Sequence, residues 1–340
     1  MSIAPVNLLY GYERVEGGVL ALGIHLAKSL TVLDVDCRII KIGKRGLKSA
    51  SGIPIFSVPE EEFVNYLIPG RSVVVNMADL YLYTPSRSRW AKVNEQIFFS
   101  DIPIVIHDAK CFTLDHRGHT MPDCKYIVCR KAVYNYMDQA EYNATLVPYP
   151  YYSVDCQIPD IGRRPRNAIC HSRIAPEKGI EIILQANEAL LDDKKVLLIG
   201  GRNMMFVNFR LRKSYPDWEK SWREIDGLYD YPLHYNSAML QKLLTETDYS
   251  VDLTYLPLSG SSVQYTFLEA MSAGCHLILN QDWIQGIGDM IPGWNCTTIS
   301  SPTELAQTLM RPAIKFDCRS VLDQFKPNIT VPKWMEAING

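Results

Sequence analysis

Short, uniformly apolar runs alternate twice along this chain with longer amphipathic stretches, and this alternation limits the folds open to it more than any other feature. VNLLYGY, then GGVLALGIHLAKSLTVL with apolar residues at 19, 20, 22, 24, 26, 27 and 30, then DCRIIKIG read as strand, helix and strand. RSVVVNM, IPIVIHD and KYIVCR extend the series, the last followed by the helical KAVYNYMDQAEY and by ATLVPYP. Strands that are apolar on both faces and separated by helices predict parallel sheets covered on both sides. The pattern breaks at YPYYSVDCQIPDIGRRPRN, a Pro-rich, weakly periodic linker. It then resumes with AICHSRI, KGIEIILQANEALL, KKVLLIGG, SAMLQKLLTETD, YSVDLTYLP and TFLEAMSAGCHLIL. The expected class is α/β with two doubly wound, Rossmann-like domains, 1–152 and 153–320, facing one another across a cleft. A tail over 321–340 is free to pack back on the first.

Composition narrows the function classes. With 47% apolar and 21% charged residues the chain is an ordinary globular protein. Its apolar runs fall far short of the ~20 residues of a membrane helix, and no basic segment followed by an apolar one opens it. No membrane association and a cytoplasmic location (the host's, for a phage-encoded chain) are therefore expected. Nine cysteines at irregular spacing, without C-x-x-C, predict free thiols rather than a zinc site or a disulfide framework. The net charge of −2 supplies no global attraction for polyanions, so a nucleic-acid partner needs a local basic patch.

In doubly wound sheets ligands bind beyond the carboxyl ends of the strands. There, AICHSRIAPEKGIEIIL places Arg173 and Lys178 on either side of a Pro-containing turn that opens a helix. Two cations beside exposed backbone N–H groups suit a diphosphate, although two surface cations in a loop fit the spacing as well. Gly17 and Gly18 at the mouth of the first helix, and Gly200 and Gly201 after KKVLLI, allow close backbone approach to a ligand or simply make turns. Glu269 is an acid in a helix that ought to face a core, and it suits hydrogen bonds from a ribose diol. The polar start SGSSVQYT offers Ser261 and Ser262 as caps for both helix and ligand.

HSRIAPEKGIEIILQA followed by TFLEAMSAGCHLIL resembles the donor-binding half of retaining glycosyltransferases of the two-domain GT-B fold. The resemblance covers most of residues 165–280 and implies that Arg173 and Lys178 hold a sugar nucleotide's diphosphate and Glu269 its ribose. That family often has a second Glu eight residues before this one, and here Ser261 stands in its place. Within the fold the chain is similar to the phage DNA α-glucosyltransferases that modify 5-hydroxymethylcytosine. They also lack that Glu and share a YT-x-LE run, here Tyr265, Thr266, Leu268 and Glu269, and a first-domain strand ending in His-Asp, here His107 and Asp108. At a strand's carboxyl end Asp108 can serve as general base on an acceptor hydroxyl and His107 can position the sugar. A strand-end His beside a helix-capping Asp is the plainer alternative, and Asp79 and Asp115 are the other acids within range. Asp34-Val35-Asp36 has the D-x-D form of a metal site but sits between helix and strand at the sheet's amino edge. Positive side chains rather than a metal are expected to stabilise the leaving group.

A DNA acceptor finds its cations in GRNMMFVNFRLRKSYPDWEKSWR. Arg202, Arg210, Arg212, Lys213, Lys220 and Arg223 alternate there with Phe206, Phe209, Tyr215, Trp218 and Trp222. The same stretch also reads as a helical excursion with core aromatics and solvated cations. Arg87, Arg89, Lys92 and Arg117 add charge in the first half. The expected activity is transfer of a hexose to a hydroxymethylated DNA base, flipped out if it lies within a duplex. The resemblance implies retention of configuration and UDP-glucose as donor substrate, with no tightly bound cofactor. A cell-wall, capsule or lipid glycan acceptor, and a non-catalytic nucleotide- or DNA-binding module, are the alternatives.

Overall fold

The computed structural model of the chain describes residues 5–11, 17–77, 91–106, 123–153, 158–225, 228, 236–255, 262–284 and 288–340. They form two compact units, one of residues 5–152 with 323–340 and one of residues 153–228 with 236–322.

The first unit is built on an eight-stranded sheet. Its strands are β1 (Val6–Gly11), β2 (Cys37–Ile42), β3 (Gly46–Ala50), β4 (Ile53–Val58), β5 (Ser72–Met77), β6 (Ile104–Ile106), β7 (Tyr126–Val128) and β8 (Ala144–Leu146). They are ordered β3-β4-β2-β1-β5-β6-β7-β8, so the chain reverses its direction of winding between β1 and β5. The expected parallel pairing holds except at β3–β4, an antiparallel hairpin absent from the sequence reading. Ser51 (φ 50) and Gly52 (φ 83) form its two-residue turn, the double left-handed geometry that matches the twist of a hairpin. Helix Gly17–Val32 follows β1 and buries Leu20, Leu22, Ile24, Leu26, Ala27 and Leu30, as its apolar spacing requires. The closing helix Pro327–Asn339 is held in this unit by the Trp334 indole N–H, which donates to the Pro148 carbonyl at 3.0 Å.

The second unit carries a five-stranded, wholly parallel sheet of β9 (Arg166–Cys170), β10 (Val196–Leu198), β11 (Thr247–Asp252), β12 (His276–Asn280) and β13 (Thr297–Ile299). Its order is β10-β9-β11-β12-β13, which puts the reversal between β9 and β11. At such a reversal the loops leaving two adjacent strands depart to opposite faces and open a crevice at their carboxyl ends. Ile183, Leu184, Val196, Leu198, Tyr249, Val251, Ile278 and Leu305 are among the buried residues that pack the helices onto this sheet. No helix among the described residues is long and apolar enough to cross a membrane.

Candidate functional site

The crevice of the second unit lies where β9 and β11 end. Ile169 pairs with Ser250 in register, so two residues further on Asp252 comes level with His171. Beyond β9 the chain runs through His171, Ser172 and Arg173 into a short turn, Pro176–Lys178, and then helix Ile180–Glu188. Gly179 joins the two in a left-handed conformation (φ 60), and a Cβ there would meet Leu253 Cβ at 2.6 Å. Backbone freedom and close approach to β11 both require glycine at this point. The neighbouring loop is tied on by the Tyr255 N–H, which donates to the Glu177 carbonyl at 2.8 Å.

Arg173 and Lys178 lie at this end of the sheet in different settings. Arg173 is exposed and donates to Glu177 Oε1 at 2.7 Å. Burial pushes the Glu177 carboxyl up, but the hydrogen bond and charge of Arg173 outweigh it and hold the group below its ordinary range. Lys178 is half-buried, and its Nζ donates to Thr254 Oγ1 at 2.7 Å and to Gln264 Oε1 at 3.4 Å. An ammonium has three N–H donors, so one is left to face a ligand.

Behind Lys178 lies a carboxylate that the sequence reading passed over. Asp252, 1% exposed, accepts from Ser172 Oγ at 2.5 Å, Thr266 Oγ1 at 2.7 Å and the Thr254 N–H at 3.0 Å, and it also bonds the Thr254 hydroxyl. Burial alone would raise its pKa. The Lys178 charge and the three hydroxyl hydrogen bonds reverse that and hold it at about 2. Its only signal in the sequence was its place at the end of strand TDYSVD, where Asp248 is a second acid.

Glu269 stands in helix Tyr265–Ser272, buried, with Oε2 3.3 Å from His171 Nε2. Of the other donor-site candidates, Tyr265 is buried, and Thr266 spends its hydroxyl on Asp252. The helix begins later than the polar run suggested: Gln264 is its N-cap, without a side-chain capping bond, and so Ser262 does not cap it. The Ser262 carbonyl accepts instead from the Trp283 indole. Gly200, rather than Gly201, is the glycine this loop demands. A Cβ on Gly200 would lie 1.8 Å from the Ser172 carbonyl oxygen, whereas one on Gly201 would meet nothing within 4 Å. Gly17 and Gly18 open the first unit's helix, and Gly18 would also meet nothing within 4 Å. His107, Asp108, Arg117, Asp79, Asp115, Arg87, Arg89 and Ser261 lie outside the described residues.

The basic, aromatic stretch folds as short helical pieces, Met204–Phe206, Val207–Leu211, Arg212–Ser214 and Trp218–Ser221, with a π-helical turn at Val207–Leu211. Phe206 and Trp218 are core, whereas Phe209 is 71% exposed. Arg210 makes a bidentate pair with Glu181, Arg212 pairs with Glu219 and Lys220 with Asp217, while Arg202 lies over the Trp222 ring at 4.4 Å. Arg202, Lys213 and Arg223 are exposed as well. Asp34 and Asp36 are exposed ahead of β2, at the sheet's amino end. Among the described residues no group of three or more His, Cys, Asp or Glu side chains is gathered as a metal site.

No protein-family model matches the chain, and no curated protein sequence does. Solved structures match its fold along almost its whole length. The Anabaena protein HepE in complex with UDP and glucose superposes with a TM-score of 0.64 at 14% identity, over 99% of this chain and 100% of that one. An α-glucosyltransferase in complex with UDP and a 13-mer DNA containing a central A:G mismatch gives 0.65 at 11% identity, with coverage of 99% and 100%. A mutant of S. aureus TarM in complex with Fondaparinux, alpha-GlcNAc-glycerol and UDP gives 0.64 at 11% identity, again over 99% and 100%. The chain has the two-domain GT-B fold of these proteins.

Proposed function

We propose that the chain is a glycosyltransferase that takes its sugar from a uridine diphosphate donor. The observation that carries this reading is the gathering of Lys178, Arg173 and the His171–Glu269 pair at the β9/β11 reversal, in a fold whose solved relatives hold UDP. Lys178 and Arg173 face the diphosphate, and Glu269 accepts from the ribose hydroxyls. When the bond from the sugar's anomeric carbon to the diphosphate oxygen breaks, negative charge collects on the departing UDP. Cations already in place stabilise that charge without reorganising. The acceptor hydroxyl forms the new bond to the anomeric carbon and gives its proton to a base, for which Asp108 is the candidate, with His107 positioning the sugar. Retention of configuration and a glucosyl donor follow the resemblance to the phage enzymes.

A hydroxymethylated base in DNA is the acceptor we propose. It is supported by that resemblance, by the DNA-bound relative and by the exposed Arg202, Lys213, Arg223 and Phe209. A glycan acceptor is the second reading, favoured by the acidic partners that Arg210, Arg212 and Lys220 already have. The test is transfer from a panel of nucleotide sugars to duplexes containing 5-hydroxymethylcytosine, 5-hydroxymethyluracil or neither. Transfer to one modified duplex, abolished by Lys178→Ala or Asp108→Asn, establishes the DNA reading. Donor hydrolysis without a DNA product removes it and leaves the glycan reading.

A further inference from the structure

We propose that Asp252 is the positioning residue of the donor site: a buried carboxylate that, through the Thr254 hydroxyl, aims the Lys178 ammonium at the donor's diphosphate. The inference rests on Lys178 being the diphosphate's cation. Asp252 never meets the ligand in this scheme. It sets where the cation stands.

A carboxylate 1% exposed is costly unless its charge and lone pairs are met. Those of Asp252 are met from three separate segments that sequence does not bring together. Ser172 comes from the loop after β9, Thr254 from the loop after β11, and Thr266 from the helix that carries Glu269. One anion therefore fastens together the three pieces of chain that form the crevice. It also fixes the Thr254 hydroxyl. That hydroxyl gives its proton to Asp252, so its lone pairs face Lys178 Nζ at 2.7 Å. Gln264 Oε1 holds the ammonium from another side, and the third N–H is thereby aimed rather than left to rotate. The Gln264 Nε2 is buried with no hydrogen-bond partner, so a second donor group at the same place is unspent. A phosphate oxygen is an acceptor suited to both.

Bare electrostatics predicts the opposite effect on an anionic ligand, since Asp252 is a negative charge behind the cation that attracts it. Removing it should tighten UDP binding if charge alone counts, and weaken it if orientation does. The two accounts thus differ in sign.

The test is calorimetric titration of the full chain with UDP and with uridine, which needs no knowledge of sugar or acceptor. Losing the aimed ammonium hydrogen bond through Asp252→Asn or Thr254→Val should weaken UDP about tenfold. Thr254→Ser should restore it, and uridine, which has no phosphate, should bind wild type and variants alike. Neither change should weaken UDP further in a Lys178→Met background, because both act through that side chain. Thr254→Val leaves the carboxylate in place and carries the test if Asp252→Asn does not fold. Unchanged or tighter UDP binding in these variants, or losses that add in full to Lys178→Met, overturn the proposal. A wild type that bound no UDP would instead refute the donor reading on which it rests.

Discussion

His171 Nε2 lies 3.3 Å from Glu269 Oε2, with both side chains buried, so the end of β9 and the middle of helix Tyr265–Ser272 meet through these two residues. A carboxylate held in this way keeps a fixed direction, which is what recognition of a diol requires. Glu269→Gln should weaken UDP roughly 10- to 100-fold, the range for a hydrogen bond to a charged group. It should also erase much of the preference for UDP over 2′-deoxy-UDP. Calorimetry with both nucleotides checks this, and an unchanged preference would take Glu269 off the ribose.

The loop after β10 yields a prediction in which two adjacent glycines behave differently. Gly200→Ala drives a methyl into the Ser172 carbonyl, 1.8 Å away, and the backbone must shift. Overpacking of this kind costs about 1–3 kcal/mol, on the order of 2–12 °C in melting temperature for a unit of this size. Gly201→Ala meets nothing within 4 Å and should change stability by less than about 0.5 kcal/mol. Melting curves of the two variants decide it.

The parallel sheets and their helices were legible because their residues repeat a local pattern. β6, β7 and β10 are apolar runs, and helix Gly17–Val32 buries the positions its spacing marks out. The β3–β4 hairpin was not legible, because GLKSA is exposed along most of its length and carries no apolar alternation. Arg173 and Lys178 could be picked out as charges around a strand-to-helix turn, and Glu269 as an acid within a helix that ought to face a core. Asp252 could not, since Ser172 is 80 residues away and only the pairing of β9 with β11 brings it within reach. The same holds for His171, whose partner Glu269 lies on a helix far along the chain. In the basic stretch, composition counted the cations but could not show that Arg210 faces Glu181 on another helix.

Stability should fall with acid in two steps of different origin. His276 is buried, its Nδ1 accepts the Ile314 N–H at 2.9 Å, and its Nε2 therefore carries the proton directed at Thr297 Oγ1, 2.7 Å away. Burial holds its pKa down to about 4. A histidine depressed in the folded state binds a proton more readily when unfolded, so its contribution is complete above ~6.5 and is lost as pH falls toward 4. Asp252, held at about 2, contributes fully above ~3.9 and loses its contribution as pH falls from there toward 2. The Asp252 step is worth on the order of 2 kcal/mol and the His276 step on the order of 3 kcal/mol. Urea unfolding of the wild type, His276→Gln and Asp252→Asn across pH 2–8 checks both, since each variant should lose one slope and keep the other.

The acceptor reading makes its clearest demand on the ionic-strength dependence. Arg210 and Arg212 are exposed and paired with Glu181 and Glu219, and exposed pairs contribute about 0–1 kcal/mol. A DNA phosphate can therefore compete for either guanidinium. Each phosphate contact releases a counterion and adds roughly 0.9 to the slope of log affinity against log salt. Arg210→Ala with Arg212→Ala should thus flatten that slope for modified DNA by nearly two while leaving UDP affinity unchanged, because the two guanidinium groups bond Glu181 and Glu219 and neither is a partner of Lys178, which is held by Thr254 and Gln264. Lys213→Ala, whose cation is exposed, should take away about one more. A slope that none of these changes moves would remove residues 202–223 from the acceptor face. A wild type whose transfer does not respond to salt would place the acceptor among uncharged glycans.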